Sequence, residues 1–148
     1  MHRHIIPDVI SGQHVCTQLK TNSAFEAAEE MTNCDGAGIV VVDADGKLEG
    51  IVTERDLTRR VMGKKLDPME TTLDKIMTKD PDTLSPTDTA LKALQMMRGR
   101  SYRHLPVVDD GRVVGMVSIR DLYAAVTTEL EEDIHETEAF VFGDRYGV

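Results

Sequence analysis

Two four-residue stretches, Thr53-Glu54-Arg55-Asp56 and Ser118-Ile119-Arg120-Asp121, place a hydroxyl and a carboxylate three residues apart. Each follows a Gly-apolar-Val run and precedes a leucine, giving Gly50-Ile51-Val52 with Leu57 and Gly115-Met116-Val117 with Leu122. A strand that turns into a helix at the hydroxyl residue holds both side chains at the helix N-terminus. Two chemistries suit that arrangement. In one, Thr53 or Ser118 is the N-cap and the aspartate is its reciprocal partner, shorter than the usual glutamate but suited to the positive helix end. In the other, the helix end and the hydroxyl receive a phosphate while the aspartate accepts the vicinal hydroxyls of a ribose. Residue types and spacing leave both open. Arg103, His104 and Lys79 add cations able to make charge-assisted bonds to phosphoryl oxygens. Their plainer readings are a surface ion pair, a structural histidine and a solvated lysine. Arg55 and Arg120 are expected to point outward.

The two junctions belong to a longer repeat. Gly50–Leu57 recurs 65 residues later as Gly115–Leu122. Upstream the offset is 66, so that Thr17, Thr21, Ala24 and Met31 face Thr83, Thr87, Ala90 and Met97. Two copies are too few for a solenoid and suggest like units packed about a pseudo-two-fold axis.

Each unit has a readable order. Ser23–Met31 and Thr89–Met97 carry Ala, Leu, Phe and Met at helical spacing. Gly38–Val42 and Leu105–Val108 read as strands, Asp45-Gly46 and Asp110-Gly111 as tight hairpins, and Leu48–Val52 and Val113–Val117 as the returning strands. A helix then starts at Thr53 or Ser118. The unit is β-α-β-β-α, with Gly63–Pro68 as linker and Leu73–Met77 leading into the second copy.

Composition removes several classes of function. The net charge is −9, and residues 127–148 hold seven acidic residues against one basic. That balance lacks the basic footprint of a nucleic-acid binder. No apolar run of 18 residues exists, which speaks against a membrane span, and the N-terminus lacks a signal-peptide pattern. Cys16 and Cys34 are too few for a disulfide scaffold and are expected to be reduced thiols. His2 and His4 lack companions at zinc spacing, and no nucleophile elbow, phosphate-binding loop or HExxH motif is present, so neither a metal nor catalysis is expected. Leu122 to about Glu138 reads as a long polar helix. Residues 139–148 hold three of the six Phe and Tyr residues and read as a terminal strand or clip, or as a peptide that docks a partner.

In order and separation the two copies resemble a tandem pair of CBS domains, the Bateman module, of the stand-alone type. The likeness rests on the β-α-β-β-α order, the two junctions, Arg103-His104-Leu105-Pro106-Val107-Val108 and the lead-in Ile76–Thr83, and covers roughly residues 5–126. It implies an α/β architecture of the mixed α+β kind. Repeats over 5–63 and 73–126 pack with pseudo-two-fold symmetry around two clefts, and an acidic extension over 127–148 ends in the aromatic segment. It implies a regulatory ligand containing adenosine (AMP, ADP or ATP foremost, S-adenosylmethionine next), no required cofactor, allosteric action on a partner protein and a homodimer; the expected reduced thiols and the lack of a signal-peptide pattern point to a cytoplasmic setting. Mapped onto this sequence, one cleft takes Thr53 and Asp56 with Lys79, Thr83, Arg103 and His104. The other takes Ser118 and Asp121 with Thr17, and is expected to be weaker because Ala37 and Gly38 stand where the first has Arg103 and His104. The competing expectation is a ligand-independent oligomerisation or interaction module that uses the aromatic tail.

Overall fold

Runs of β-branched residues form the strands, and alanine-rich amphipathic stretches form the helices. The computed structural model describes residues 3–143, with side chains through Val141. The first repeat comprises β1 (Thr17–Gln18), α1 (Ala24–Asn33), β2 (Gly38–Val42), β3 (Leu48–Thr53) and the short α2 (Glu54–Asp56), which continues in wider turns over Leu57–Val61. The second comprises β4 (Thr78–Lys79), α3 (Ala90–Arg100), β5 (His104–Asp109), β6 (Arg112–Ser118) and α4 (Ile119–Gly143). Ser23 and Thr89 cap α1 and α3 by accepting the Glu26 and Lys92 amides at 3.1 and 3.2 Å.

The four-stranded sheet has the order β1-β2-β3-β4, with β1 parallel to β2 and the other pairs antiparallel. β2 is buried along its whole length, which is why it reads as an unbroken apolar run rather than an alternating one. β5 and β6 form a second sheet, and Leu84 bridges Val107 in parallel, as Thr17 pairs with Val40 in the first.

The hairpins differ by one residue. Asp110 and Gly111 have φ of 52° and 77° and join Asp109 directly to Arg112 in a two-residue turn. In the first-repeat hairpin only Gly46 is left-handed, and Ala44, Asp45 and Gly46 lie between Asp43 and Lys47, the Asp43 amide donating to Lys47 O. Asp45-Gly46 is therefore a three-residue turn, and this insertion changes the repeat offset from 66 to 65.

The repeats exchange their lead-in segments. Leu73 and Ile76 are buried in the core of the first repeat with Ala27, Ile39 and Val52. Ile5 and Ile10 are buried in that of the second with Leu84, Leu105 and Leu122. Equivalent bonds anchor both: the Ala24 amide donates to Thr71 O at 2.8 Å, and the Ala90 amide to Arg3 O at 2.9 Å. The exchange also explains the glycine of each junction. A Cβ on Gly50 would lie 2.8 Å from Thr78 O, and one on Gly115 would lie 2.6 Å from Ile10 Cδ1. β4 pairs with Gly50 and Ile51 of β3. On β6 the Gln13 side-chain amide takes that place, bonding Met116 N and O at 2.8 and 3.0 Å. Lys47 and Arg112, equivalent residues, bridge each other across the pseudo-two-fold axis.

Two expectations are corrected. Cys16 and Cys34 are not free thiols but a disulfide, with Cα atoms 6.4 Å apart. They are 18 residues apart in sequence, and only the return of β2 beside β1 brings the end of α1 to the start of β1. The tail is not a strand or clip as far as it is described. No glycine or proline interrupts residues 119–142, so α4 extends to Gly143 with Leu130, Ile134, Phe140 and Val141 exposed. The rest of the aromatic segment, Asp144–Val148 with Tyr146, lies outside the described residues, as does His2. His4 Nδ1 meets the Thr87 carbonyl at 2.9 Å. Among the described residues no helix is long and apolar enough to cross a membrane.

Candidate functional site

Both junctions form the reciprocal cap. The Thr53 amide and hydroxyl donate to Asp56 Oδ2 at 2.9 and 3.1 Å, and the Asp56 amide donates back to Thr53 Oγ1 at 3.4 Å. Ser118 and Asp121 repeat this at 2.8, 3.0 and 3.2 Å. In each pair one carboxylate oxygen receives both bonds. An ionised carboxylate offers about four lone-pair sites, so capping does not exhaust the group. Asp56 spends its other oxygen on Arg60 Nε, 3.6 Å away.

A cavity of about 960 Å³ opens between the repeats beside the second junction. Ser118, Arg120 and Asp121 line it from the start of α4, and Arg103 and His104 from the start of β5. The first repeat contributes Gln13–Cys16, Cys34–Gly38, the inner side of α1 at Ala28 and Met31, and Glu54, Leu57 and Thr58. Arg120 thus faces the cavity, where an outward direction was expected, because the start of α4 abuts the first repeat.

A second cavity, about 400 Å³, is the repeat's counterpart of part of the first. Leu94, Met97, Arg98, Ser101, Tyr102, Arg103, Ile119 and Tyr123 line it where Ala28, Met31, Thr32, Asp35, Gly36, Ala37, Glu54 and Thr58 line the large one. Arg55 stands for Arg120. It lacks lead-in residues. Tyr102 occupies the place of Gly36, and its hydroxyl donates to Asp82 Oδ2 at 2.7 Å, where Arg100 Nη1 also lies at 3.0 Å. Burial and then the Asp82 carboxylate push the Tyr102 phenol up to about 12.

The residues predicted from sequence are therefore distributed unevenly. Arg103, His104, Ser118 and Asp121 meet on the large cavity. Thr53 and Asp56 line neither cavity, Lys79 is exposed in β4 and Thr83 is exposed before Leu84. Thr17 is exposed in β1, beside the lining residue Cys16. Sequence reasoning missed Glu54, Leu57, Thr58 and the cysteines. A signal for the cysteine pair existed: a shift of 66 carries Cys16 to Asp82 and Cys34 to Arg100, an oppositely charged pair.

The electrostatics of the large cavity are mixed. Arg103 and Arg120 face Asp35, Glu54 and Asp121. Burial pushes the His104 imidazole below the ordinary histidine value, against the pull of Asp121, Glu54 and Asp56, and Arg103 adds to the lowering. His104 is therefore neutral at pH 7, one ring nitrogen donating and the other accepting.

Comparison with known proteins agrees with this architecture. The family model for the CBS domain matches residues 19–63 and again 73–128. The CBS domain-containing protein CBSX3, mitochondrial, of Arabidopsis thaliana is 32% identical over 126 residues, 82% of this chain. The chain spans 61% of that relative's length, and 20% and 22% of two longer CBS-domain proteins of the same plant. The CBS domain protein PAE2072 from Pyrobaculum aerophilum, solved in complex with AMP, is 28% identical with a TM-score of 0.70, covering 76% of this chain and 86% of that one. The CBS domain pair of protein MJ0100, solved with 5-methylthioadenosine and S-adenosyl-L-methionine, is 28% identical with a TM-score of 0.74, covering 82% and 94%. With two matched copies and the fold they require, the chain belongs to the CBS-domain family as a tandem pair.

Proposed function

We propose that this chain is a sensor module that binds an adenosine-containing ligand in the large cavity between its repeats. The observation that carries the reading is the meeting of Ser118, Asp121, Arg103 and His104 around about 960 Å³, within the range of pockets that enclose a small ligand. Two CBS-pair structures that resemble it hold AMP, or methylthioadenosine and S-adenosylmethionine. In this reading Asp121 accepts the ribose hydroxyls, and Arg103 with Ser118 receives the 5′ substituent. The weight moves from the first junction to the second, because Thr53 and Asp56 line neither of the two cavities and Asp56 is engaged with Arg60.

Charge narrows the ligand. Three carboxylates against two guanidiniums leave the cavity slightly acidic, so each added phosphate is less welcome. We expect AMP and S-adenosylmethionine to rank above ADP and ATP. Ligand binding would bias the arrangement of the repeats or of a homodimer, and a partner protein would read the change.

The test is thermal unfolding with each ligand added separately. A ligand at 100 times its Kd stabilises the native state by about 2.7 kcal/mol. For a chain of this size that is a rise of several degrees. A rise with AMP or S-adenosylmethionine, absent in Asp121→Asn, supports the reading. No rise with any adenosyl ligand at millimolar concentration overturns it. The exposed apolar row of α4 then favours the second reading, an interaction module working through that helix.

A further inference from the structure

The cavity wall of the first repeat is closed by a bond that chemistry can open. Cys16, just before β1, and Cys34, the C-cap residue of α1, are joined by the disulfide, and both line the large cavity. Residues 35–38, which follow Cys34, also line it. The bridge fixes the C-terminal end of α1 to the lead-in strand, and the cavity residues 35–37 run from it to β2. Both cysteines are only half-buried, so a reductant can reach them.

The second repeat supplies an internal comparison. At the two equivalent positions Asp82 and Arg100 make an ion pair at 3.0 Å, braced by the Tyr102 hydroxyl. The same tie between lead-in and helix end is thus built once from charges and once from sulfur. Only the sulfur version responds to thiol–disulfide exchange, and only it stands on the large cavity. Glu30 Oε1 lies 3.3 Å from Cys34 Sγ, where a Cys34 thiol, once formed, has an acceptor.

We propose that Cys16 and Cys34 are a reversible redox clasp on the ligand cavity, so that affinity for the adenosyl ligand depends on thiol–disulfide state. This rests on the cavity being the ligand site. The step is exchange with a dithiol. One thiolate of the dithiol attacks a cysteine sulfur and breaks the S–S bond. The second thiol then resolves the mixed disulfide. The dithiol leaves oxidised, and its two protons end on Cys16 and Cys34. Reduction loosens residues 35–37, between Cys34 and β2, and the ligand must then order them on binding, which weakens its hold.

The test compares the full chain, oxidised and after dithiothreitol, with a chelator present so that no metal held by Cys16, Cys34 and Glu30 imitates the bridge. Two quantities are read. Calorimetric affinity for AMP and for S-adenosylmethionine is expected to fall about tenfold on reduction. Hydrogen exchange of residues 34–38 without ligand is expected to rise about tenfold on reduction. The Cys16→Ser/Cys34→Ser variant is expected to match the reduced protein under both conditions. Equal exchange in both states overturns the clasp, as does a redox response that survives in the double variant. Equal affinity in both states overturns its control of binding. If neither state binds an adenosyl ligand, the proposed function and the control of binding fall together, and the exchange measurement still decides the clasp itself.

Discussion

Gly38 and His104 occupy the same position in the two repeats and meet across the pseudo-two-fold axis: a Cβ on Gly38 would lie 3.4 Å from His104 Cδ2 and 3.1 Å from Met116 Cε. The absence of a side chain at 38 leaves room for the imidazole at the edge of the large cavity. Gly38 is not left-handed, so the constraint is space rather than backbone conformation. Gly38→Ala is expected to be tolerated, because the tightest neighbour is the far end of a methionine. Gly38→Val intrudes on Met116 and His104. It is expected to lower stability by about 1–3 kcal/mol, the usual cost of overpacking, and to weaken AMP at least tenfold. Denaturant unfolding and calorimetry on both variants check this. Equal ligand affinity in Gly38→Val would place the ligand elsewhere.

The two reciprocal caps offer a paired experiment. Asp56→Asn and Asp121→Asn make the same change in the same kind of cap: the amide oxygen can still accept the Thr53 or Ser118 amide, but the negative charge at the helix N-terminus is lost, so both are expected to cost about 0.3–1 kcal/mol. Only Asp121 lines the cavity, so only Asp121→Asn is expected to abolish the ligand-induced rise in Tm. Loss of the rise in Asp56→Asn alone would return the site to the first junction.

The fold was largely legible because the repeat shows in the residues themselves. Gly50–Leu57 and Gly115–Leu122 differ little, and their spacing fixes a strand-to-helix turn whatever surrounds it. The exchange of lead-ins was not legible, since Ile5 and Leu73 are merely apolar until their neighbours are known. The residue types around the candidate cavity were legible, but not their grouping. His104 is expected in the Thr53–Asp56 cleft, yet it lines the cavity of Ser118 and Asp121, and Arg103 lines both cavities. The two cavities differ at Gly36 and Tyr102, a difference of side-chain volume that motif spacing does not carry.

His104 gives a pH prediction. Its folded-state value lies below the unfolded one, because burial resists the imidazolium. The unfolded chain therefore binds the proton more readily, and stability rises with pH through this range. The contribution is complete above about pH 6.5 and is lost as pH falls through the folded-state value. Between pH 7.5 and 5 the wild-type Tm is expected to fall more steeply than that of His104→Gln. Parallel curves would mean that His104 carries no such penalty.

Tyr102 supplies the last prediction. In the second repeat it stands where Gly36 leaves the large cavity open, and it reaches Asp82 of the lead-in strand. Tyr102→Phe removes that hydrogen bond but keeps the ring, with an expected cost of about 0.5–1.5 kcal/mol and no change in ligand stoichiometry. Tyr102→Gly removes the ring as well and makes the position identical to the first repeat. The smaller cavity, about 400 Å³, is then expected to open toward its lead-in segment beside Arg55, Arg98 and Arg103. Three guanidiniums favour phosphate there, so calorimetry with AMP is expected to show a second binding event, strengthened by added phosphates as in ADP and ATP. A variant that folds and still binds a single ligand would show that the ring is not what closes this cleft.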